Sequence, residues 1–381
     1  MSSFRAMLSF GPARVATALV SVVAALSFCA FRWMAASSAP ELPVDQLLVP
    51  GRLADESACI ECHSQAEEFW LTGHANTLAP ARSDDSVQLL STLAKTMAPG
   101  TEGTAIAVRD GEPFATFSSD AGDGELPLDW CFGSGHHART WISTLADSRG
   151  ATDLLEFRWT WYASIDGFDI TPGQPDQHFG TYLGPCGVFY DHPKARRCFA
   201  CHSTHLPIDD GRLRFEELRP NVTCQRCHGP RADHVASEGE IRDDFWQTAT
   251  AEEAVNRCAQ CHRRADEVEV EEIRADNTFL ARFQPIGLVQ SACFKSSGTL
   301  TCTTCHDPHR PLEVQDSLGD WQCLQCHDPD QSDDSARGQG SALAEHVLCA
   351  AGEKADCLTC HMPKVQGDDP LPFTDHWIRV R

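Results

Sequence analysis

Cysteine and histidine recur in one fixed pattern along this chain of 381 residues. The pattern Cys-x-x-Cys-His occurs seven times, at Cys59–His63, Cys198–His202, Cys224–His228, Cys258–His262, Cys302–His306, Cys323–His327 and Cys357–His361. This spacing is typical of haem c attachment, in which two sulfurs bond to the porphyrin and the histidine ligates the iron. Structural zinc fits less well, because zinc ribbons pair their Cys-x-x-Cys knuckles and an odd number leaves one over.

The motifs assign residues to two roles. The cysteines that attach the cofactor are Cys59, Cys62, Cys198, Cys201, Cys224, Cys227, Cys258, Cys261, Cys302, Cys305, Cys323, Cys326, Cys357 and Cys360. The proximal iron ligands are His63, His202, His228, His262, His306, His327 and His361. The sequence therefore predicts seven covalently attached haem c groups, each with its iron.

The second axial position of each iron decides what that iron can do. Two histidines saturate it for electron transfer, whereas an empty position can bind substrate. Ten histidines lie outside the motifs, enough to saturate seven irons. His309 lies three residues after His306, and His234 lies six after His228. Such close residues cannot easily reach the opposite face of the same porphyrin, so we expect each to ligate a neighbouring haem.

The motifs are unevenly spaced, which predicts a haem-free insertion at residues 81–192. Asp110-Gly111 lies between Thr104–Val108 and Phe114–Ser118 and predicts a β-hairpin. Leu154–Tyr162 is a further strand candidate, followed by Asp166-Gly167. We therefore expect a small antiparallel sheet between a first haem segment, residues 40–80, and a six-haem domain, residues 193–381.

The expected fold class is mainly α with much irregular structure, in which short helices pack around seven haems. Each haem has only about fifty residues of chain, so side chains should pack mainly on cofactor. Prolines closely follow several motifs, as in Gly229-Pro230 and Met362-Pro363, and should end their helices.

Residues 1–39 resemble an export segment, with an apolar run from Val15 to Phe31 and small residues before Pro40. We expect a cleaved signal peptide or an N-terminal membrane anchor, and a periplasmic or otherwise exported protein. The net charge of −23 argues against nucleic acid as a partner. It is typical of a solvated, solubilising surface, and the other interpretation is attraction of basic redox partner proteins and small cations.

Several segments resemble the cytochrome c-554-like multihaem group, which is related to the tetrahaem cytochromes of nitrifying bacteria and more distantly to hydroxylamine oxidoreductase. They are the stretches CIECHSQAEEFWLTGHA, GSGHHART, CQRCHGPRADHV, SACFKSSGTLTCTTCHDPH and CLTCHMPK, with the later Asp375-His376. The resemblance implies distal iron ligands at His74, His137, His234, His309, His346 and His376. The candidates for the seventh distal ligand are His192 and His205, and His178 is a less favoured candidate. The long gap after the first motif and the extra haems depart from the tetrahaem pattern.

Four cysteines beyond the export segment lie outside the motifs. Their even number in an oxidising compartment suggests the disulfides Cys131–Cys186 and Cys293–Cys349. Buried free thiols are the alternative.

Two functions fit the sequence. The first is an electron carrier that passes electrons one at a time along close-packed haems with two histidine ligands. The second is an oxidoreductase that acts on a small nitrogen or sulfur compound at one open haem. Against the second, every motif ends in histidine, and no Cys-x-x-Cys-Lys variant is present.

Overall fold

The structure is a computed structural model that describes residues 52–95, 103–174, 181–315, 319–327, 356–367 and 370–380. The predicted export segment, His178, His346 and Cys349 lie outside these ranges. Within them, no helix is both long enough and apolar enough to cross a membrane.

The helices are short. They are α1 (Ser57–Cys62), α2 (Asp84–Leu93), α3 (His192–His202), α4 (Cys224–His228), α5 (Ala232–Ala236), α6 (Phe245–Thr248), α7 (Ala251–His262), α8 (Gln284–Gln290), α9 (Ala292–Ser297), α10 (Asp320–His327) and α11 (Cys357–His361). Short 3-10 segments connect many of them, for example Ser64–Leu71 and Cys302–Thr304.

The strands are β1 (Leu78–Pro80), β2 (Thr104–Arg109), β3 (Glu112–Ser119), β4 (Gly122–Pro127), β5 (Trp130–Phe132), β6 (Ala138–Ala146), β7 (Thr152–Tyr162), β8 (Gly167–Ile170), β9 (Gly187–Tyr190), β10 (Ser203–His205), β11 (Ile208–Asp209), β12 (Arg212–Leu213), β13 (Arg219–Pro220), β14 (Lys364–Gln366) and β15 (Pro372–Thr374). Helices and strands contribute comparably to the described residues. The chain is thus mixed α and β, not mainly α as predicted, because the strand-forming insertion is large and short ladders also occur among the haem motifs.

Two sheets dominate. β1, β5, β6, β7 and β8 form one antiparallel sheet in that order, and β9 pairs with the other part of β7. β2, β3 and β4 form a separate three-stranded sheet. β1 lies before residue 81, so the larger sheet extends beyond the predicted insertion.

The predicted hairpin is confirmed. Arg109 pairs with Glu112 across a two-residue loop in which Asp110 and Gly111 have φ of 52° and 82°. Positive φ at both positions is the type I′ turn that favours Asp-Gly, because glycine adopts this conformation without steric cost. The predicted strand at Leu154–Tyr162 is confirmed as part of β7.

The two faces of β7 bury different cores. Leu155, Phe157 and Trp159 pack with Phe117 and other residues of the three-stranded sheet. On the opposite face, Leu154 packs with Ala195 and Phe199 of α3. Alternate residues of a strand face opposite sides, so this near-continuous apolar run is covered on both. The helix covered by β7 carries the second Cys-x-x-Cys-His motif.

Candidate functional site

Most motifs lie on a helical turn. The first ends at the residue after α1, the second ends α3, and the third is the whole of α4. Side chains three and four residues apart lie on the same face of a helix. Such a turn therefore presents two sulfurs and one imidazole on the same side, as attachment and ligation of one porphyrin require.

Imidazole rings from distant parts of the chain lie close together in four pairs within the described residues. The centroid distances are 6.3 Å for His63 and His234, 6.0 Å for His74 and His262, 6.1 Å for His228 and His309, and 6.2 Å for His306 and His376. An iron between two imidazoles sets the ring centroids about 6 Å apart, since metal–nitrogen bonds are about 2 Å long. Each pair joins one motif histidine to one candidate distal ligand.

The pairs link different motifs. His309 faces His228 and not the nearby His306, and His234 faces His63 and not the nearby His228. The distal candidate that follows one motif therefore lies opposite the proximal histidine of another.

Hydrogen bonds orient several of these rings through Nδ1. Nδ1 of His234 contacts the carbonyl oxygen of Ile241 at 2.8 Å, and that of His376 contacts Thr374 at 2.8 Å. Nδ1 of His361 contacts the Arg379 carbonyl at 3.0 Å. Donation by Nδ1 leaves the Nε2 lone pair free, which is how metal-bound histidines are commonly held. The donor set and its orientation thus fit haem iron.

Burial also favours the neutral, ligating form. It lowers the pKa of the imidazoles of His202, His306 and His376. Burial and then the neighbouring His309 lower the pKa of His228 to about 4. A metal ligand must be unprotonated, so these rings are prepared for iron near neutral pH.

The environment of His202 differs. Its Nδ1 lies 3.1 Å from the Thr77 carbonyl oxygen, and the Phe132 ring packs edge-on at a centroid distance of 4.9 Å. Among the residues that the structure describes, no second imidazole pairs with it. The Thr77 hydroxyl oxygen lies 2.5 Å from the same Nδ1, so the side chain of Thr77 contributes as well. The sequence pattern gives no signal that marks Thr77 for this role.

The other distal candidates lie apart from these pairs. His137 is exposed, and Nδ1 of its neighbour His136 lies 3.3 Å from a Glu313 carboxylate oxygen. His192 begins α3 and is partly buried. Nδ1 of His205 is buried without a hydrogen-bond partner, and the residue borders an open cavity of about 430 Å³.

Cysteines of different motifs lie side by side. Sγ of Cys59 and Cys224 lie within 4.8 Å of each other and of a Glu56 carboxylate oxygen. Thiols from other motifs are also close neighbours, namely Cys201 with Cys261, Cys258 with Cys302, and Cys323 with Cys357. Cofactors attached at these sites are therefore neighbours.

Two cysteines outside the motifs do not form the disulfide predicted for them. Cys131 and Cys186 are both buried in the core beneath the three-stranded sheet, and both are free thiols. The predicted Cys131–Cys186 disulfide is wrong, and the alternative of buried free thiols holds. The Cys293–Cys349 disulfide stays a prediction, because Cys349 lies outside the described residues.

Comparison with known proteins finds a family model that matches part of the chain. Residues 187–229, which contain the second and third motifs, match the family model of cytochrome c554 and c-prime. This segment is therefore similar to a family of multihaem c-type cytochromes.

Other comparisons are sparse. A solved structure that matches is an undecahaem cytochrome from the S-layer of Carboxydothermus ferrireducens, with 14% identity and a TM-score of 0.41. The match covers 88% of the present chain and 53% of that cytochrome, so the present chain spans about half of the cytochrome's length. None of the curated proteins matches the sequence.

Proposed function

We propose that this chain is a multihaem cytochrome c that carries seven haems and transfers electrons one at a time between redox partner proteins. The pairing of imidazoles across motifs is the observation that carries the proposal. Irons with two histidine ligands are saturated, and such centres serve electron transfer. In this proposal His63, His228, His262 and His306 have His234, His309, His74 and His376 as their distal ligands.

The contacts between motif cysteines support an order for the haems. The first motif contacts the third through Cys59 and Cys224. The third lies near the fourth, since after burial the neighbouring Cys258 and Cys261 raise the pKa of the Cys227 thiol. From the fourth, the order runs to the fifth through Cys258 and Cys302, and then to the sixth and the seventh through Cys323, which lies near Cys305 and Cys357. The second motif touches the fourth through Cys201 and Cys261, so it is a side branch of this path.

The chain contributes position and electrostatics, while bound haem iron supplies one-electron chemistry by cycling between its ferric and ferrous forms. Backbone carbonyls fix the imidazole tautomers. The chain's net charge of −23 favours association with basic surfaces on a donor or acceptor, in a periplasmic or otherwise exported setting.

One observation favours a second function, an oxidoreductase acting on a small nitrogen or sulfur compound. In the described part of the chain, His202 faces a phenylalanine ring and no second imidazole. An iron on His202 with an empty distal position could bind substrate.

Two measurements on the purified holoprotein test the proposal. A haemochrome assay should give seven haems per chain, and six or fewer would contradict it. Low-temperature electron paramagnetic resonance of the oxidised protein should show low-spin haems throughout. A high-spin signal of about one haem per chain that changes on adding nitrite or hydroxylamine would instead support the enzyme.

A further inference from the structure

The face of β7 that packs on α3 carries a carboxylate. Glu156 shares this face with Leu154, because alternate residues of a strand point to the same side. Leu154 packs with Phe199, and Cys198 packs against the same core cluster. Burial and then the nearby charge of Glu156 raise the pKa of the Cys198 thiol to about 12. The carboxylate therefore lies beside an attachment site of the second haem.

Glu156 is held by two neutral donors. Oε2 accepts a hydrogen bond from Tyr190 Oη at 3.2 Å and another from Gln174 Nε2 at 3.1 Å. The residue is partly buried. Burial raises the pKa of the Glu156 carboxyl group, and the two hydrogen bonds act in the opposite direction. The balance between its charged and neutral forms is therefore open to a change in nearby charge.

Among the described residues, the elements packed around Glu156 bring few charged groups. On β7 itself, the buried Arg158 lies two residues further along the same face. Strands β6 and β9 place Ile142 and Val188 opposite Glu156 in the ladder. From α3, Lys194 Nζ lies 5.5 Å from the centre of the Tyr190 ring. Beside Tyr190, Cys198 is a further titratable neighbour in this part of the chain, and its sulfur would become an uncharged thioether on haem attachment.

We propose that Glu156 takes up a proton from solvent when the haem attached at Cys198 and Cys201 gains an electron. The proposal rests on the proposed function, which places a haem at this motif. The electron comes from a one-electron donor and converts ferric to ferrous iron. The proton converts the carboxylate to a carboxylic acid, so the net charge of the site is unchanged.

The physical reason is electrostatic coupling. An added electron removes a positive charge near the carboxylate, which disfavours the ionised carboxylate and favours its neutral form. Coupling of two binding events is reciprocal, so protonation of Glu156 also makes this haem easier to reduce. Electron uptake by the haem of the second motif, the side branch of the haem path, therefore depends on pH.

The test counts protons taken up when the full-length holoprotein is reduced at an electrode in weakly buffered solution, across a range of pH. Glu156→Gln keeps the size and hydrogen-bonding capacity of the side chain but cannot titrate. We expect it to lower the maximal uptake by about one proton per chain and to remove a carboxylic acid band from the redox-difference infrared spectrum. Glu112→Gln, at the exposed end of the hairpin, is the matched control and should change neither.

A second variant gives an independent readout. Tyr190→Phe removes a donor to the charged carboxylate, which should shift the half-maximal proton uptake to higher pH. A haemochrome assay of each protein separates the two proposals. Fewer than seven haems in the wild-type chain contradicts the proposed function. Seven haems with equal proton uptake in wild type and Glu156→Gln, or no pH shift in Tyr190→Phe, overturns the role of Glu156.

Discussion

At the level of single residues, the sequence predicts the residues of the haem-attachment motifs far better than the distal iron ligands. The proximal histidines follow from a five-residue motif, whereas a distal ligand is defined only by its position in space. Spacing did predict that His309 would avoid the iron of His306, and its ring lies 6.1 Å from that of His228. It could not name His228 as the partner, because these residues meet only through tertiary structure.

Replacing His309 with alanine should leave the haem attached but convert the haem held by His228 from low-spin to high-spin, since one axial ligand is lost. Electron paramagnetic resonance measures the number of high-spin haems per chain. His136→Ala is the control, because this exposed ring contacts Glu313 and should leave the spectrum unchanged.

A double variant shows which iron is affected. His376 faces His306, so His309→Ala combined with His376→Ala should give about two high-spin haems per chain. If the double variant gave only one, the two histidines would share an iron and the ligand assignment would be wrong.

At the level of elements, prediction succeeded where local chemistry decides the structure. Asp110-Gly111 fixes its hairpin through backbone conformation alone. The β-branched and aromatic residues of Leu154–Tyr162 predict the strand β7. The short strands β1, β9 and β10 were not predicted, because three- or four-residue ladders depend on a partner strand distant in sequence. The sequence also predicted a mainly α chain, because the repeated motifs indicate helical turns and give no indication of the larger sheet.

The contact between α3 and β7 should be a principal source of stability for the second motif. Phe199 is fully buried, and its ring packs on those of Trp130, Phe132 and Phe215. Phe199→Ala should lower the free energy of unfolding by about 3–5 kcal/mol, the usual cost of removing a buried aromatic ring.

Urea denaturation followed by far-ultraviolet circular dichroism measures this change. Phe189→Ala is the matched control, because Phe189 on β9 is 51% exposed and should cost much less. Equal losses in the two variants would show that the core between α3 and β7 does not hold this motif in place.

At the level of the whole molecule, the proposed order of haems differs from the order of motifs in the chain. The fourth motif occupies the junction, since its cysteines contact both Cys201 of the second and Cys302 of the fifth. Motif counting predicts how many haems there are. It cannot predict this order, which depends on contacts between cysteines far apart in the sequence.

Removing the junction haem should interrupt electron flow more than removing the branch. The variant Cys258→Ala with Cys261→Ala should separate the first and third haems from the last three, disconnect the second haem from both groups, and greatly slow internal electron equilibration. Rapid-mixing absorbance measurements with a substoichiometric reductant report this rate.

The matched variant removes the second haem through Cys198→Ala with Cys201→Ala. It also lacks one haem, but the main path through the fourth motif stays intact. Internal equilibration should then keep nearly its wild-type rate. A larger loss in this variant than in the junction variant would contradict the proposed order.

The pairing of His63 with His234 also has a consequence for biogenesis. A nascent chain grows by roughly 5–20 residues per second, so His234 is made on the order of ten seconds or more after His63. His74, by contrast, is made almost at once, yet its final partner is His262. In the proposed ligand assignment, an iron attached at the first motif before α5 is in place would have one open coordination site, with His74 the nearer imidazole in sequence. Ligation of that iron by His74 would then compete with the ligation by His234.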